Sequence, residues 1–306
     1  MERYIDLQIH SVYSDGLLSG AQIIAKAKKY KISVLSLTDH NTIDGYYELA
    51  MLGRKNNIKI IPGLELYTHY HGKGLHLLGY NFDLKNEILN DLLAQSQKEQ
   101  RENLRKSIHN LHKMGFVIDE QKILRSQSKF PGVLHLLREM ERHPQNVMKM
   151  KMDLEKNYSF FNKIFHYFSK GKAAYLSLPR SEIKEAIKLI KQAGGIPVLA
   201  HPGQQLTLEQ DYIIDELTKA GLEGLEVLSP YHNWRQIEHY QRMAQRLRLA
   251  ITGGTDFHYD IDFTGKELVK NQWDYFKVPY SVYLNFKKYL KQNYVQNQSF
   301  ICRRRT

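Results

Sequence analysis

The stretch "DLQIHSVYSDG", residues 6–16, contains the first strand of the chain and the polar turn that follows it. Because side chains alternate across a strand, Leu7 and Ile9 lie on one face. Gln8 and His10 then lie together on the other face. Two polar side chains one strand step apart can hold a metal ion between them. The stretch therefore predicts a strand with a metal-binding face, on which a glutamine stands where a histidine would bind better.

Similar short strands recur along the chain and alternate with amphipathic helices. They include "SVLSLTDH" at 33–40, "IKIIPGLELY" at 58–67, "IPVLAHPG" at 196–203, "GLEGLEVLSPYH" at 221–232 and "LAITGGTDFH" at 249–258. Alternating β and α units over this length predict an α/β fold with a parallel sheet that is open or closed into a barrel.

The pattern changes between residues 86 and 170, where lysine-rich, helix-like segments occur without a convincing strand. We therefore expect a barrel domain built from residues 1–85 and 171–306, with a helical subdomain inserted at 86–170. The chain has 306 residues, of which 42% are hydrophobic, and this is sufficient for a core of that size.

Composition limits the compartment and the partners. The single cysteine, Cys302, excludes an internal disulfide and a cysteine-based zinc site. No apolar run reaches about 18 residues and the first residues lack a signal-peptide core, so we expect a soluble cytoplasmic protein. The formal net charge of +12 fits an anionic partner, such as a phosphorylated substrate or nucleic acid. Most of this excess, however, lies on lysine-rich helix faces and in the terminal arginines.

Histidines and carboxylates occur within or just beyond the C-terminal half of nearly every predicted strand. They are His10, Asp15, Asp39, His40, Glu65, His76, His201, Glu226, His232, Asp256 and His258. In a barrel or parallel sheet these strand ends converge on one face, where the active site lies. One histidine at a strand end is usually a hydrogen-bonded rim residue, but so many together favour a shared metal site.

The ligand types indicate which metals bind and what they do. Imidazole and carboxylate groups without thiolates suit Mn²⁺, Fe²⁺ or Zn²⁺, and such shells often hold two or three metals bridged by a carboxylate. Clustered metals polarise a phosphoryl oxygen and lower the pKa of a bound water, which predicts hydrolysis of an anionic ester. The sequence has no GxSxG elbow, Walker loop or dinucleotide-binding glycine motif that would favour another reaction.

Seven motifs follow one another along the chain: "DLQIHSVYSDG", "LSLTDHNTIDG", "IPGLELY", "HLLGYNFD", "GGIPVLAHPG", "GLEGLEVLSPYH" and "ITGGTDFHY". Together they resemble the polymerase and histidinol phosphatase (PHP) family over roughly residues 4–84 and 172–260. The resemblance is greatest to its bacterial branch of stand-alone nucleotide phosphoesterases, which remove the 3′-phosphate of 3′,5′-bisphosphate nucleosides or trim short RNA from the 5′ end. It implies a distorted, TIM-like (β/α)7 barrel with two or three divalent metal ions at its C-terminal rim.

The resemblance also implies a role for each ligand, in three sites of which two share Glu65. The implied ligands are Gln8, His10, Glu65 and Asp256 for the first metal, Glu65, His76 and His201 for the second, and Asp15, His40 and His258 for the third. Asp39 and Glu226 would orient ligands rather than bind metal. His232 is a candidate phosphate contact or proton donor, with a plain rim residue as the equal alternative.

The chain departs from the family pattern at two places. Gln8 stands where the pattern has a histidine, and glutamine binds transition metals weakly, so it ligates through oxygen, is replaced by water, or leaves the site empty. Because the other ligands are intact, we expect a working enzyme with an altered metal preference. Phe130 and Gly132 stand where close relatives carry a phosphate-binding arginine and histidine. The candidate substitutes for these two groups are Lys129, Arg125 and His135.

We therefore expect a metal-dependent phosphoesterase that acts by attack of metal-bound hydroxide. Its substrate would be a small nucleotide, such as a 3′,5′-nucleoside bisphosphate, or the 5′ end of a short RNA, and the helical insertion would cover the rim. Two alternatives stay open: a phosphatase for a monoester such as histidinol phosphate, and a metal-poor relative that binds nucleic acid through its +12 charge without cleaving it. Neither a membrane partner nor a particular oligomeric state is indicated.

Overall fold

A computed structural model of the chain describes residues 2–258 and 272–290. The strands are β1 (Tyr4–Ile9), β2 (Ile32–Leu37), β3 (Lys59–Tyr70), β4 (Lys73–Tyr80), β5 (Ser181–Glu182), β6 (Ile196–Leu199), β7 (Gly224–Leu228), β8 (Ala250–Gly253) and β9 (Val278–Pro279). The helices are α1 (Gly20–Lys29), α2 (Gly45–Lys55), α3 (Glu87–Lys113), α4 (Glu120–Leu124), α5 (Val133–Glu141), α6 (Pro144–Leu154), α7 (Phe160–Phe168), α8 (Ile183–Gln192), α9 (Pro202–Gln205), α10 (Tyr212–Lys219), α11 (Trp234–Leu247) and α12 (Gln272–Tyr275). Residues 280–290 are also helical. Within these ranges, none of the helices has both the length and the apolar character of a membrane span.

The strands form one sheet that curves into a nearly closed barrel. Neighbouring strands follow the order β8-β7-β6-β4-β3-β2-β1-β9, and the short β5 pairs with β3. β1, β2 and β3 are parallel to one another, as are β6, β7 and β8. The predicted α/β class and the distorted barrel are therefore confirmed.

The barrel closes between β1 and the segment that follows β8. Ile9 and Phe257 form a parallel bridge, and the Asp256 N–H donates to the Gln8 carbonyl oxygen across 2.9 Å. A glycine is needed beside this seam, because a Cβ on Gly254 would lie 2.5 Å from the Gln8 nitrogen. The closure brings the polar end of β1 next to the loop after β8.

β4 is the exception to the parallel order, because it runs antiparallel to both β3 and β6. The two-residue turn between β3 and β4 has positive φ at His71 (47°) and Gly72 (79°), as a tight hairpin turn requires. Within this hairpin Tyr67 pairs with His76, the fourth residue of the eight-residue β4. The expectation that His76 lies in the C-terminal half of its strand is therefore wrong. His76 reaches the same rim because the start of β4 lies beside the end of β3.

Helices cover the outer face of the barrel with apolar residues at helical spacing. In α8 the buried residues are Ile183, Ala186, Ile187 and Ile190. Their spacing of three and four residues places them on one face of the helix, which packs on β3, β4 and β6. Burying each isoleucine side chain contributes roughly 1.5–3 kcal/mol. This packing stabilises the sheet from its outer face. The polar groups at the rim are therefore not needed for the apolar core.

Residues 86–170 contain α3 to α7 and no strand, and the structure describes all of them. The 27-residue helix α3 begins after Asn86, whose side chain accepts from the Leu89 N–H. Leu89 belongs to the apolar cluster of the barrel, whereas Leu104 and Ile108, further along α3, belong to a separate cluster with α5, α6 and α7. Because this segment has a core of its own, we propose that it is an inserted helical subdomain.

Candidate metal centre

The barrel rim brings the predicted histidine and carboxylate ligands together in three overlapping groups. In each group, one nitrogen or carboxylate oxygen from every residue lies within 4.8 Å of the others. The groups are His10, Asp15, His40 and His258; Glu65, His76 and His201; and His10, Glu65 and Asp256. The cluster therefore combines side chains from the stretch of the barrel before the helical segment 86–170 with side chains from the stretch after it.

Glu65 lies at the centre of the cluster and shares its carboxylate between two sides. Its Oε1 atom is 2.8 Å from Nδ1 of His76 and 3.6 Å from Nε2 of His201. Its Oε2 atom is 3.0 Å from Nε2 of His10. The side chain is fully buried in β3. A carboxylate whose two oxygens face different imidazoles has the arrangement that is needed to bridge two cations.

A second carboxylate, Asp15, faces three imidazoles from the turn after β1. Its oxygens lie 3.4 Å from His258 Nε2, 3.7 Å from His10 Nδ1 and 3.8 Å from His40 Nε2. The rings of His10 and His258 stack with their centroids 4.0 Å apart. Burial lowers the pKa of His40 to about 3, which keeps this ring neutral near neutral pH and able to bind a cation.

Several buried polar atoms of the cluster have no hydrogen-bond partner in the part of the chain that the structure describes. They are Gln8 Oε1, His10 Nδ1, His40 Nδ1 and His201 Nε2. Leaving one such atom unpaired costs roughly 1–3 kcal/mol, so a cluster of them is unfavourable without a ligand. Because nitrogen and oxygen donors surround buried carboxylates here, the residues fit divalent cations.

Two of the ligand rings are oriented by groups behind them. The His258 Nδ1–H donates to the Asp256 carbonyl oxygen across 2.7 Å, which leaves Nε2 free to bind a cation. The Gln205 amide nitrogen lies 2.8 Å from Nδ1 of His201, so Nε2 of that ring faces the cluster. Partners of this kind fix metal-binding imidazoles in one orientation. Gln205 was missed in the sequence because it lies in the short helix α9 and carries no ionisable group.

Asp39 and Glu226 bind loop groups behind the cluster. The Asp39 carboxylate accepts from the Ser11 N–H (2.7 Å), the Ser11 hydroxyl (2.7 Å) and the Ser14 hydroxyl (2.5 Å). Glu226 accepts the His201 N–H across 2.9 Å, and burial beside other carboxylates raises its pKa well above the usual range. We propose that both residues position the ligand-bearing loops.

Three rim residues have backbone φ values in the left-handed region, namely Asn41 (49°), His201 (23°) and Asp256 (54°). Such conformations cost roughly 1–3 kcal/mol for residues other than glycine, and they cluster at functional sites. A hydrogen bond holds the first of them, since Asn41 Nδ2 donates to the Ser96 hydroxyl of α3 across 2.7 Å. That bond also connects the rim to the helix that begins the insertion.

The loop after β7 presents Tyr231 to the cluster rather than His232. His232 Nδ1–H donates to the Val227 carbonyl oxygen across 2.8 Å, and its Nε2 accepts the Gly203 N–H across 2.9 Å. Because both ring nitrogens are bonded to backbone, we propose a positioning role for His232 instead of phosphate contact or proton donation. Tyr231, which was missed in the sequence, donates its hydroxyl to Asp256 Oδ2 across 3.0 Å and is 39% exposed.

The three side chains of the insertion that were predicted to contact phosphate have different surroundings. Lys129 Nζ lies 3.6 Å from Asp44, and Arg125 is exposed after α4. His135 Nδ1 accepts the Gly132 N–H across 3.2 Å, and burial lowers the pKa of its ring. Within residues 2–258 and 272–290, none of the three makes a hydrogen bond or ion pair with a cluster ligand. Their role in substrate binding stays a prediction.

Comparison with known protein families identifies the family of this chain. Residues 6–195, more than half of the chain, match the model of the PHP domain. The chain belongs to the PHP domain family.

Bacterial PHP proteins resemble the chain over most of its length. A 5′-3′ exoribonuclease of Haemophilus influenzae is 29% identical over 275 residues, which cover 89% of this chain and 95% of the relative. A 3′,5′-nucleoside bisphosphate phosphatase of Chromobacterium violaceum is 27% identical over 258 residues, which cover 83% of this chain and 87% of the relative. The solved structure of an amidohydrolase from Chromobacterium violaceum, with bound sulfate and no metal, has a TM-score of 0.72 at 25% identity, covering 83% of this chain and 87% of that one.

Gln8 is the first feature that distinguishes this PHP site from the pattern of its family. The side chain is fully buried, its Nε2 donates to Glu65 Oε2 across 3.2 Å, and its Oε1 is the unpaired atom. This placement is compatible with ligation through Oε1, the first of the three possibilities that the sequence left open.

The second feature is the part of the insertion that lies over the PHP site. Phe130 is buried and stacks on Tyr67 with ring centroids 5.7 Å apart. Gly132 lies beside Asp15, whose Cβ would be 3.7 Å from a Cβ built on the glycine. An aromatic ring and bare backbone therefore occupy the two positions at which the resemblance implied an arginine and a histidine.

Proposed function

We propose that this PHP protein is a metal-dependent phosphoesterase. Its proposed substrate is a small nucleotide, in particular a 3′,5′-nucleoside bisphosphate, or the 5′ end of a short RNA. The shared carboxylate of Glu65 carries the proposal, because a buried carboxylate between two groups of imidazoles suits a multinuclear metal site that acts on phosphate esters. The exoribonuclease and the bisphosphate phosphatase among the relatives support the substrate class.

The residues that would hold the cations divide into three sets around Glu65. They are Gln8, His10, Glu65 and Asp256; Glu65, His76 and His201; and Asp15, His40 and His258. Bound Mn²⁺, Fe²⁺ or Zn²⁺ would supply Lewis acidity, which polarises a phosphoryl oxygen and lowers the pKa of water.

The chain's own groups would keep this site in one geometry. Asp39 holds the turn that carries Asp15, and Glu226 holds the strained backbone of His201. The Tyr231 hydroxyl donates to Asp256 Oδ2 and is part of a 39% exposed residue, so it would be a candidate proton donor to the leaving oxygen. Such fixed groups stabilise a transition state without reorganising during the reaction.

The test compares substrates of the purified protein supplied with Mn²⁺. We expect phosphate release from adenosine 3′,5′-bisphosphate, or nucleotide release from a 5′-phosphorylated short RNA, with kcat/KM about tenfold or more above that for histidinol phosphate. A preference for histidinol phosphate would replace the nucleotide substrate with the monoester alternative. RNA binding without cleavage, together with far less than one metal ion per chain, would support the metal-poor binding protein instead.

A further inference from the structure

Arg180 lies on the same face of the β3–β4 hairpin as the metal centre. Along β4, Gly74 and His76 are two residues apart and therefore share a face. His76 contacts Glu65 on that face across 2.8 Å. A Cβ built on Gly74 would lie 3.2 Å from Cζ of Arg180 and 3.3 Å from both Nε and Nη2. The guanidinium group thus occupies the space that a side chain at position 74 would fill.

This arrangement places a positive charge one strand step from the cluster. Two residues along a strand span about 7 Å, so the guanidinium lies near His76 without reaching the carboxylate of Glu65. Any larger residue at Gly74 would displace the Arg180 side chain from this position. The absence of a side chain at Gly74 therefore leaves room for the Arg180 guanidinium beside the site.

The backbone of Arg180 is held firmly at the hairpin. Pro179, directly before it, is buried. Directly after it, β5 pairs in parallel with β3, with Ser181 opposite Thr68 and Glu182 opposite His69. The side chain therefore extends from a fixed point of the barrel rather than from a loose loop.

Arg180 has no ionic partner among the residues that the structure describes, although its charge acts on the nearby Tyr67. The side chain is exposed, and it forms no hydrogen bond and no ion pair with any residue in the ranges 2–258 and 272–290. A guanidinium on a fixed backbone, without a hydrogen bond or ion pair in the described part of the chain and next to the proposed metal ligands, has the properties of an anion-binding group. The planar guanidinium can donate hydrogen bonds to two oxygens of one phosphate at the same time.

We propose that Arg180 binds the phosphate of the substrate that does not react. This inference rests on the proposed function, and it narrows the substrate to compounds with a second phosphate within one nucleotide of the scissile ester. A nucleoside 3′,5′-bisphosphate and a 5′-phosphorylated short RNA both meet that requirement, because each carries a terminal 5′-phosphate one nucleoside away from the ester that is cleaved. Arg180 thereby selects such compounds over nucleoside monophosphates.

Steady-state kinetics of Arg180→Ala, Arg180→Lys and the wild type test this role. The substrates are adenosine 3′,5′-bisphosphate, a 5′-phosphorylated dinucleotide and adenosine 3′-monophosphate. We expect Arg180→Ala to raise KM about tenfold or more for the substrates with two phosphates, with a smaller effect in Arg180→Lys and little change for the monophosphate. A rise in KM for the bisphosphate alone, or for the dinucleotide alone, supports the role and identifies which of these two substrates Arg180 serves.

The matched control is Arg246→Ala, because Arg246 is exposed on α11 and pairs with Asp215 across 3.0 Å, away from the cluster ligands. This variant should keep the wild-type KM for every substrate. Equal losses on mono- and bisphosphate in Arg180→Ala, or no loss on either, would overturn the proposal.

Direct binding separates this inference from the proposed function. If the wild type hydrolyses none of the three compounds, the proposed function fails, and calorimetric titration with adenosine 3′,5′-bisphosphate then decides the role of Arg180. Weaker binding by about tenfold in Arg180→Ala than in the wild type would support the role. Equal affinities, or no binding by the wild type, would overturn it.

Discussion

Gln8 Nε2 donates a hydrogen bond to Glu65 Oε2 across 3.2 Å, at the place where the sequence resemblance implied a histidine. An amide nitrogen thus contacts the carboxylate oxygen that also faces His10. The amide oxygen of Gln8 is buried without a partner among the residues that the structure describes. Of the three proposed metal sites, the one that includes Gln8 should therefore bind its ion least tightly.

Restoring the imidazole should strengthen that site. In Gln8→His we expect the Zn²⁺ concentration for half-maximal activity to fall about tenfold, because an imidazole nitrogen is a better ligand for Zn²⁺ than an amide oxygen. Metal titration followed by activity and by elemental analysis measures the change. Gln8→Leu, which removes both amide atoms at similar size, is the control and should weaken the site. An unchanged metal dependence in Gln8→His would show that position 8 contributes no ligand.

The Tyr231 hydroxyl should matter to turnover rather than to metal binding. Tyr231→Phe removes the donor to Asp256 Oδ2 and the proton at the open side of the cluster. We expect kcat/KM to fall about tenfold while the metal content per chain is unchanged. Tyr212→Phe, at an exposed tyrosine of α10, serves as the control. Equal activity of the two variants would remove Tyr231 from the reaction.

Asp6 should be a main contributor to barrel closure. Its buried carboxylate accepts from the Thr255 N–H (2.9 Å), the Thr255 hydroxyl (2.5 Å), the Trp273 indole N–H (2.6 Å) and the Gln8 N–H (3.2 Å). In Asp6→Asn an amide N–H₂ would face donors, so we expect the free energy of unfolding to fall by about 2–4 kcal/mol. Urea unfolding followed by circular dichroism measures this difference, and a loss below about 0.5 kcal/mol would contradict the role.

The same residue predicts a pH dependence. Burial raises the pKa of Asp6 from 3.8 to about 6, so folding favours the protonated form. Its contribution to stability is present below about pH 3.8 and is lost as the pH rises through about 6. In chelator-treated protein, the stability difference between wild type and Asp6→Asn should shrink by about 3 kcal/mol over this range. A stability difference that increases with pH would show that the hydrogen bonds to the Asp6 carboxylate outweigh the effect of burial on its pKa.

The sequence predicted which ionisable side chains meet at the barrel rim, because strand ends in a barrel converge. The alternation of strands and helices was sufficient to predict that His10, His40 and Glu65 lie close together. His76 was placed in the wrong half of its strand, since the reversal of β4 depends on the conformation of the turn at His71 and Gly72.

Residues that act through loop geometry were harder to predict. Tyr231 rather than His232 faces the cluster because the two ring nitrogens of His232 are bonded to backbone groups. The spacing of residues in the sequence does not reveal such bonds. Asp6 and Gln205 act through contacts across the fold, and Arg180 lies between a helix and a two-residue strand. Tertiary contacts, rather than local spacing, decide all of these positions.

Glu65→Ala tests most directly the claim that one buried carboxylate organises the metals for phosphate ester hydrolysis. Metal content and phosphate release from adenosine 3′,5′-bisphosphate are measured together, with Glu238→Ala on the exposed face of α11 as the control. We expect Glu65→Ala to fold normally by circular dichroism, to lose about one metal ion or more per chain, and to release phosphate about a hundredfold more slowly than wild type. Wild-type metal content and turnover in a folded Glu65→Ala protein would contradict the account.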